Sequence, residues 1–197
     1  EISKYKGAYR ARNFELFRDD LREQGMLGEA KKMMMASGKL QALCYKMEIE
    51  RSLRTPNLAG FQLLGLQDFP GQGTALVGVL NAFYGEKGYI SKKEFSRFCN
   101  STVPLLKLSK FTWMNQETLT ADALLFHYGK KELTQLKLHW SMRDQSGKII
   151  RQGLFEPPTV PTGSTTFIGR LTIELGNIKT AGQFTIRLQV MGTSWMN

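Results

Sequence analysis

The residues best suited to chemistry fall in one short stretch, Leu66-Gln67-Asp68-Phe69-Pro70-Gly71-Gln72-Gly73. A carboxylate, two amides and an aromatic ring follow an apolar run within six residues. Asp and Gln can hydrogen-bond the hydroxyls of a sugar, and a Phe ring can stack on a pyranose face. If the apolar run is a buried strand, these groups stand at its carboxyl end, where α/β barrels keep their working residues. Residue types alone admit a second reading, in which Asp68 caps the loop and Phe69 packs beneath it.

Other chemistries find less support. A Ser-His-Asp triad needs a buried, oriented histidine. His139 alternates with polar strand residues and His127 stands beside Tyr128 and Gly129, so both read as surface residues. Gly71-Gln72-Gly73 is too short for a phosphate-binding loop and carries no Lys. Two histidines and two cysteines give no zinc spacing, and no metal or cofactor is expected. Cys44 and Cys99 read as small buried hydrophobes; their pairing is left open.

Helices must position that stretch from the amino-terminal side. Asn13 can cap a first helix bearing Phe14, Phe17 and Leu21 on one face, with Gly25 as its stop. A second helix spans about residues 28–53, bends or splits at Ser37-Gly38, and ends before Pro56. Its Met33-Met34-Met35 run fits either an adaptable binding surface or core gap-filling. Residues 60–66 form a nearly continuous apolar run suited to a buried strand. Ser91-Lys92-Lys93-Glu94 is a capping box that opens a further helix.

Near residue 104 the pattern changes from helical to alternating. Leu136, Leu138, Trp140 and Met142 point one way, with Gln135, Lys137, His139, Ser141 and Arg143 opposite. Phe167, Leu171, Ile173 and Leu175 alternate, as do Phe184, Ile186, Leu188 and Val190. Several short strands with turns between them predict an immunoglobulin-like β-sandwich. Pro157, Pro158 and Pro161 mark an edge or crossover connection. The chain stops just past its last strand, so the sandwich is expected to be truncated.

Composition narrows the function. The net charge is +10, with 16 Lys and Arg against 11 Asp and Glu up to residue 103, and 11 against 6 beyond it. Such an even spread lacks the concentrated footprint of a nucleic-acid binder. No apolar run is long enough to span a membrane. The opening residues Glu1-Ile2-Ser3-Lys4 lack the apolar core of a secretory leader.

Three blocks carry a family resemblance. They are Ala36-Ser-Gly-Lys-Leu-Gln-Ala-Leu-Cys-Tyr-Lys46, Gly60-Phe-Gln-Leu-Leu-Gly-Leu-Gln-Asp-Phe-Pro-Gly-Gln-Gly-Thr-Ala-Leu-Val-Gly78, and Phe95-Ser-Arg-Phe-Cys-Asn-Ser-Thr-Val-Pro-Leu-Leu106. The segment from Tyr5 to Leu106 resembles glycoside hydrolase family 2, in particular the multidomain enzymes of gut Bacteroidetes. The resemblance implies residues 1–104 as the end of a (β/α)8 catalytic domain and residues 105–197 as the sandwich. Residues 60–66 would be the eighth barrel strand and the Ser91 helix would close the barrel.

The implied function is part of a retaining enzyme, similar to β-galactosidases and β-mannosidases, that cleaves β-linked glycans. Both catalytic Glu residues are expected before residue 1, so no catalytic residue is assigned; Glu15, Glu48 and Glu50 are poor substitutes. Gln67, Asp68, Phe69 and Gln72 are the expected sugar contacts. Leu63 stands where many members carry a platform Trp. The resemblance also implies a periplasmic or secreted setting, and a second copy of the chain covering the exposed barrel edge. A stand-alone carbohydrate-binding or adhesion sandwich is the alternative, with Trp113, Trp140 and Trp195 as its candidate platforms.

Overall fold

Helices and sheets separate along the chain as their periodicities require. A computed structural model describes every residue except Glu1, Tyr9, Pro158, Thr193 and Ser194. The chain divides into two compact units, Glu1–Glu48 with Phe61–Phe95, and Ile49–Gly60 with Ser96–Asn197.

In the first unit, α1 covers Arg12–Glu23 and the start of α2 covers residues 30–48; α2 as a whole spans Ala30–Arg54. Asn13 does not cap α1. It lies inside the first turn, and its Nδ2 donates to Gln72 O at 3.2 Å and Thr74 O at 2.8 Å. Gly38 does not split α2, which runs through it unbroken. A Cβ there would lie 2.1 Å from the Tyr89 ring, so the glycine is a seat for that ring. The Ser91 capping box forms as expected: Glu94 N donates to Ser91 Oγ at 3.2 Å, and Ser91 N to Glu94 Oε2 at 2.9 Å. It opens only the single turn α3, Lys92–Phe95.

The barrel expectation fails. Residues 60–66 form no strand, and Leu64 is fully exposed. A barrel strand needs parallel neighbours on both sides to satisfy its backbone. Every sheet among the described residues is antiparallel, and parallel pairing is confined to one isolated bridge, Gln67 to Leu80. The chain is an α+β protein with one long helix, not the end of a (β/α)8 barrel. A short apolar run suggests burial from its composition alone, but here Phe61, Leu64 and Leu66 are exposed, which explains the misreading. With no barrel edge present, the expected covering copy loses its reason.

The second unit holds the strands β1 (Thr102–Leu108), β2 (Thr118–His127), β3 (Leu133–Thr134), β4 (Leu138–Arg143), β5 (Ile149–Phe155), β6 (Thr159–Val160), β7 (Ser164–Glu174) and β8 (Thr185–Val190). They form sheets ordered β1-β2-β7, β3-β6 and β5-β4-β8. Leu125, Leu171 and Ile173 from the first sheet share one core with Leu138, Met142, Leu188 and Val190 from the third. Two antiparallel sheets facing a common core make a sandwich-like arrangement. Pro104 sits in the edge strand β1, where its missing N–H costs no ladder bond.

Two residues expected at the surface are buried. His127 is enclosed, with Nδ1 2.8 Å from Thr102 Oγ1 and Nε2 2.7 Å from Lys131 O. Both ring nitrogens are satisfied, which makes it a tie between β1, β2 and the turn after β2. Ser141 is buried as well, so β4 is covered on both faces and its alternation does not separate core from solvent. Cys44 and Cys99 are unpaired; Cys44 is exposed and burial pushes the Cys99 thiol up.

Candidate functional site

The expected sugar contacts lie on a folded loop of the first unit. Its backbone is pinned by reciprocal bonds between Phe69 and Ala75, at 3.1 and 2.8 Å, and by Asp68 N to Leu80 O at 2.9 Å. Leu80 N returns to Leu66 O at 3.0 Å, so residues 66–80 close on themselves.

Asp68 is the internal clasp of this loop. Its side chain is 0 % exposed, and Oδ1 accepts from Gly78 N at 3.0 Å and from Lys87 Nζ at 2.7 Å. Lys87 also donates to Gly78 O at 2.7 Å. Oδ2 has no hydrogen-bond partner among the described residues. A buried carboxylate needs such partners, because isolating its charge from water is costly. Gly78 permits the arrangement: a Cβ there would meet the Gln67 carbonyl carbon at 2.1 Å.

A second layer ties the loop to α2. Tyr89 Oη donates to Gln41 Oε1 at 2.7 Å and lies 3.0 Å from Gly78 O. Gln41 Nε2 donates to Val77 O at 2.7 Å. Burial, then the negative charge of Asp68, then Tyr45, pushes the Tyr89 hydroxyl up to about 12. It stays protonated and donating over the whole physiological range.

The other three candidates stand differently. Phe69 is 54 % exposed, its ring lying across Gly71, where a Cβ would come within 2.5 Å of it. Gln72 is exposed and takes a positive φ of 55°, as Thr74 does at 72°. Non-glycine residues rarely adopt that conformation, and here Asn13 holds the carbonyls of both. Gln67 is half-buried. Asp68 thus holds the loop, while Phe69 and Gln72 are exposed.

Aromatic exposure continues along the unit. Asn81 Oδ1 accepts from Phe83 N and Gly85 N, both at 2.9 Å, and this turn presents Phe83 and Tyr84 to solvent. Sequence reasoning missed Lys87, Tyr89 and Asn81. A signal for the first was available: Lys87 is the one basic residue between Arg54 and Lys92, facing just two acids, Asp68 and Glu86. Among the carboxylates set aside as catalysts, Glu15 is held by Arg10 at 2.8 Å and Glu50 accepts from Asn197 at 2.6 Å. Among the described residues no group of three or more His, Cys, Asp or Glu could hold a metal ion.

In the second unit a groove of about 540 Å³ is lined by Leu133, Gln135, Lys137, Val190, Met191 and Trp195. Trp113 is used locally, with its Nε1 donating to Lys110 O at 3.1 Å and the Lys110 ammonium 4.6 Å from the ring centre. Trp140 packs against the sandwich core.

Residues 117–197 match the model of a family described as a domain of unknown function, DUF8488. No curated protein matches the chain. Among solved structures, the chain is similar to the crystal structure of Spo0M, a sporulation control protein from Bacillus subtilis. That similarity has a TM-score of 0.32 and 14 % identity, over 48 % of this chain and 45 % of that one. The chain therefore spans less than half the length of that protein. No described helix is long and apolar enough to cross a membrane.

Proposed function

We propose that this chain is a non-catalytic, sugar-contacting part of a retaining hydrolase of β-linked glycans, with the catalytic carboxylates lying outside these 197 residues. The observation that carries the reading is Phe69, 54 % exposed on a loop whose backbone is clasped beneath it by Asp68 and Lys87. An aromatic ring fixed in this way stacks on an apolar sugar face at little entropic cost. Gln72 and Gln67 flank it with amides able to bond ring hydroxyls. The sequence resemblance of residues 5–106 to glycoside hydrolases supports the same ligand class, and export to the periplasm or the cell exterior goes with it. The reading rests on the loop and not on barrel architecture.

An array of β-linked oligosaccharides tests it. Binding that falls roughly tenfold or more in Phe69→Ala, with the helical circular dichroism unchanged, is the expected result. The chain alone should not turn over aryl β-glycosides. Turnover, or binding indifferent to Phe69→Ala, overturns the proposal. A second reading, a binding module centred on the sheets, is favoured by the groove beside Trp195. It predicts that sugar binding survives Phe69→Ala and is lost in Trp195→Ala.

A further inference from the structure

One face of α2 has a job that neither the loop nor the sheets account for. Within the first unit this helix packs through Gly38, Gln41, Ala42 and Tyr45. Gly38 seats Tyr89, Ala42 is buried, and Gln41 and Tyr45 reach the carbonyls of Val77 and Gly65. On the opposite side, Met33, Ala36, Leu40, Leu43 and Met47 all lie exposed. Leu40 is 63 % exposed and Leu43 62 %. The intervals are three, four, three and four residues, the a/d spacing of a helix that pairs with another helix. At 100° per residue, this seam stands about opposite the packed side.

The flank of the seam says which helix would fit. Lys32, Lys39 and Lys46 recur every seven residues along one side, at the g positions of the same repeat. Lys32 is paired with Glu29 at 3.0 Å. The e positions on the other side are Ser37 and Cys44. Residues 30–48 hold four lysines and one acid, Glu48. A second copy of the chain would set lysines against lysines when antiparallel, and against Ser37 and Cys44 when parallel. Neither arrangement supplies a carboxylate to the lysine row. A helix of another protein with apolar a and d positions and Glu or Asp beside them supplies both requirements.

We propose that the Met33-Ala36-Leu40-Leu43-Met47 seam is a docking surface for an amphipathic helix with acidic flanks. The methionines at its ends suit the task, since their unbranched side chains adapt to partners of varied shape. The sequence left two readings of the methionine run; Met33 and Met34 are exposed, so these two do not fill core gaps.

The test uses the full chain and a synthetic fluorescent helix of about four heptads with Leu at a and d and Glu at e and g. Anisotropy should report saturable binding that weakens as salt is raised. Leu40→Asp, or the charge reversal Lys39→Glu, should weaken it roughly tenfold or more. Both side chains lie in solvent, so neither change removes a buried contact, and circular dichroism checks that the helix is intact. A matching helix with Lys in place of Glu should not bind. Equal binding of the two helices, or no binding of the acidic one, overturns the proposal. So does a stable dimer in sedimentation that Leu40→Asp dissociates, which assigns the seam to a second copy. Binding to anionic vesicles with none to the acidic helix also overturns it, in favour of a lipid surface.

Discussion

At the scale of single residues, the Asp68–Lys87 pair decides whether the loop keeps its shape. Removing one partner of a buried ion pair leaves the other charged and isolated, and that costs about 3 kcal/mol. Replacing both with uncharged groups of similar size costs far less. Asp68→Asn and Lys87→Met should therefore each lower the stability of the first unit by about that amount, and the double variant should recover most of it. Amide exchange at Gly78 is the direct readout, because that N–H is bonded to Asp68 Oδ1 at 3.0 Å. If the double variant is as unstable as the sum of the singles, the pair is not a clasp. Tyr89 offers an independent check in pH. Its hydroxyl is raised to about 12 against an ordinary value near 10, so the folded state holds the proton more tightly than the unfolded chain. The stability this confers is complete below pH ~10 and falls as pH rises towards ~12. A tyrosinate absorbance titration should contain a late step that is missing in Tyr89→Phe.

At the scale of elements, Gly38 sets helix propensity against packing. In the middle of a helix, alanine is favoured over glycine by about 1 kcal/mol. Here a Cβ would lie 2.1 Å from the Tyr89 ring, closer than any side-chain contact tolerates. Overpacking of this kind costs about 1–3 kcal/mol, so packing wins and Gly38→Ala should be destabilising. In a Tyr89→Ala background the sign should reverse, with Gly38→Ala now stabilising by about 1 kcal/mol; paired thermal melts of the four proteins decide it. The same contrast explains what could be read from the chain. Local patterns were legible: the capping box at Ser91, the stop before Pro56, the alternation that became β4, β7 and β8. Features set by residues far apart were not. Nothing near Gly38 announces Tyr89, and Lys87 can be matched to Asp68 only by counting the charges between Arg54 and Lys92. His127 was misplaced because its burial depends on Thr102, 25 residues away. The run at residues 60–66 misled most, since its apolar side chains Phe61, Leu64 and Leu66 are exposed and it pairs as no strand. The 54 % exposure of Phe69 fits its place between Asp68 and Pro70 on a glycine-rich turn.

At the scale of the whole molecule, the two units differ in how much they bury. The second contains Leu125, Leu138, Leu171 and Leu188, all nearly inaccessible, within a core shared by two sheets, and Val103 and Leu105 are buried as well. In the first, Ala11, Ala42 and Val79 are the buried apolar residues among those described. Its order rests on hydrogen bonds and on ion pairs that, apart from Asp68–Lys87, each include a solvent-exposed side chain, each worth little net free energy beside apolar burial. Unfolding should therefore proceed in two steps, with the first unit opening at lower denaturant. The sequence supplies separate reporters for the two events. Helix α1 and residues 30–48 of α2 lie in the first unit, while all three tryptophans, Trp113, Trp140 and Trp195, lie in the second. On titration with guanidinium chloride, the helical circular dichroism should fall first, with tryptophan fluorescence still native. Truncating the core of the second unit, as in Leu171→Ala, should lower the fluorescence midpoint by an amount equivalent to about 2–5 kcal/mol and leave the first step in place. If an acidic helix docks on the α2 seam, its addition should raise the first midpoint and not the second, because a ligand stabilises the unit that binds it. Coincident midpoints for the two signals would mean that the units fold as one, and the sparse core of the first would then need another source of stability.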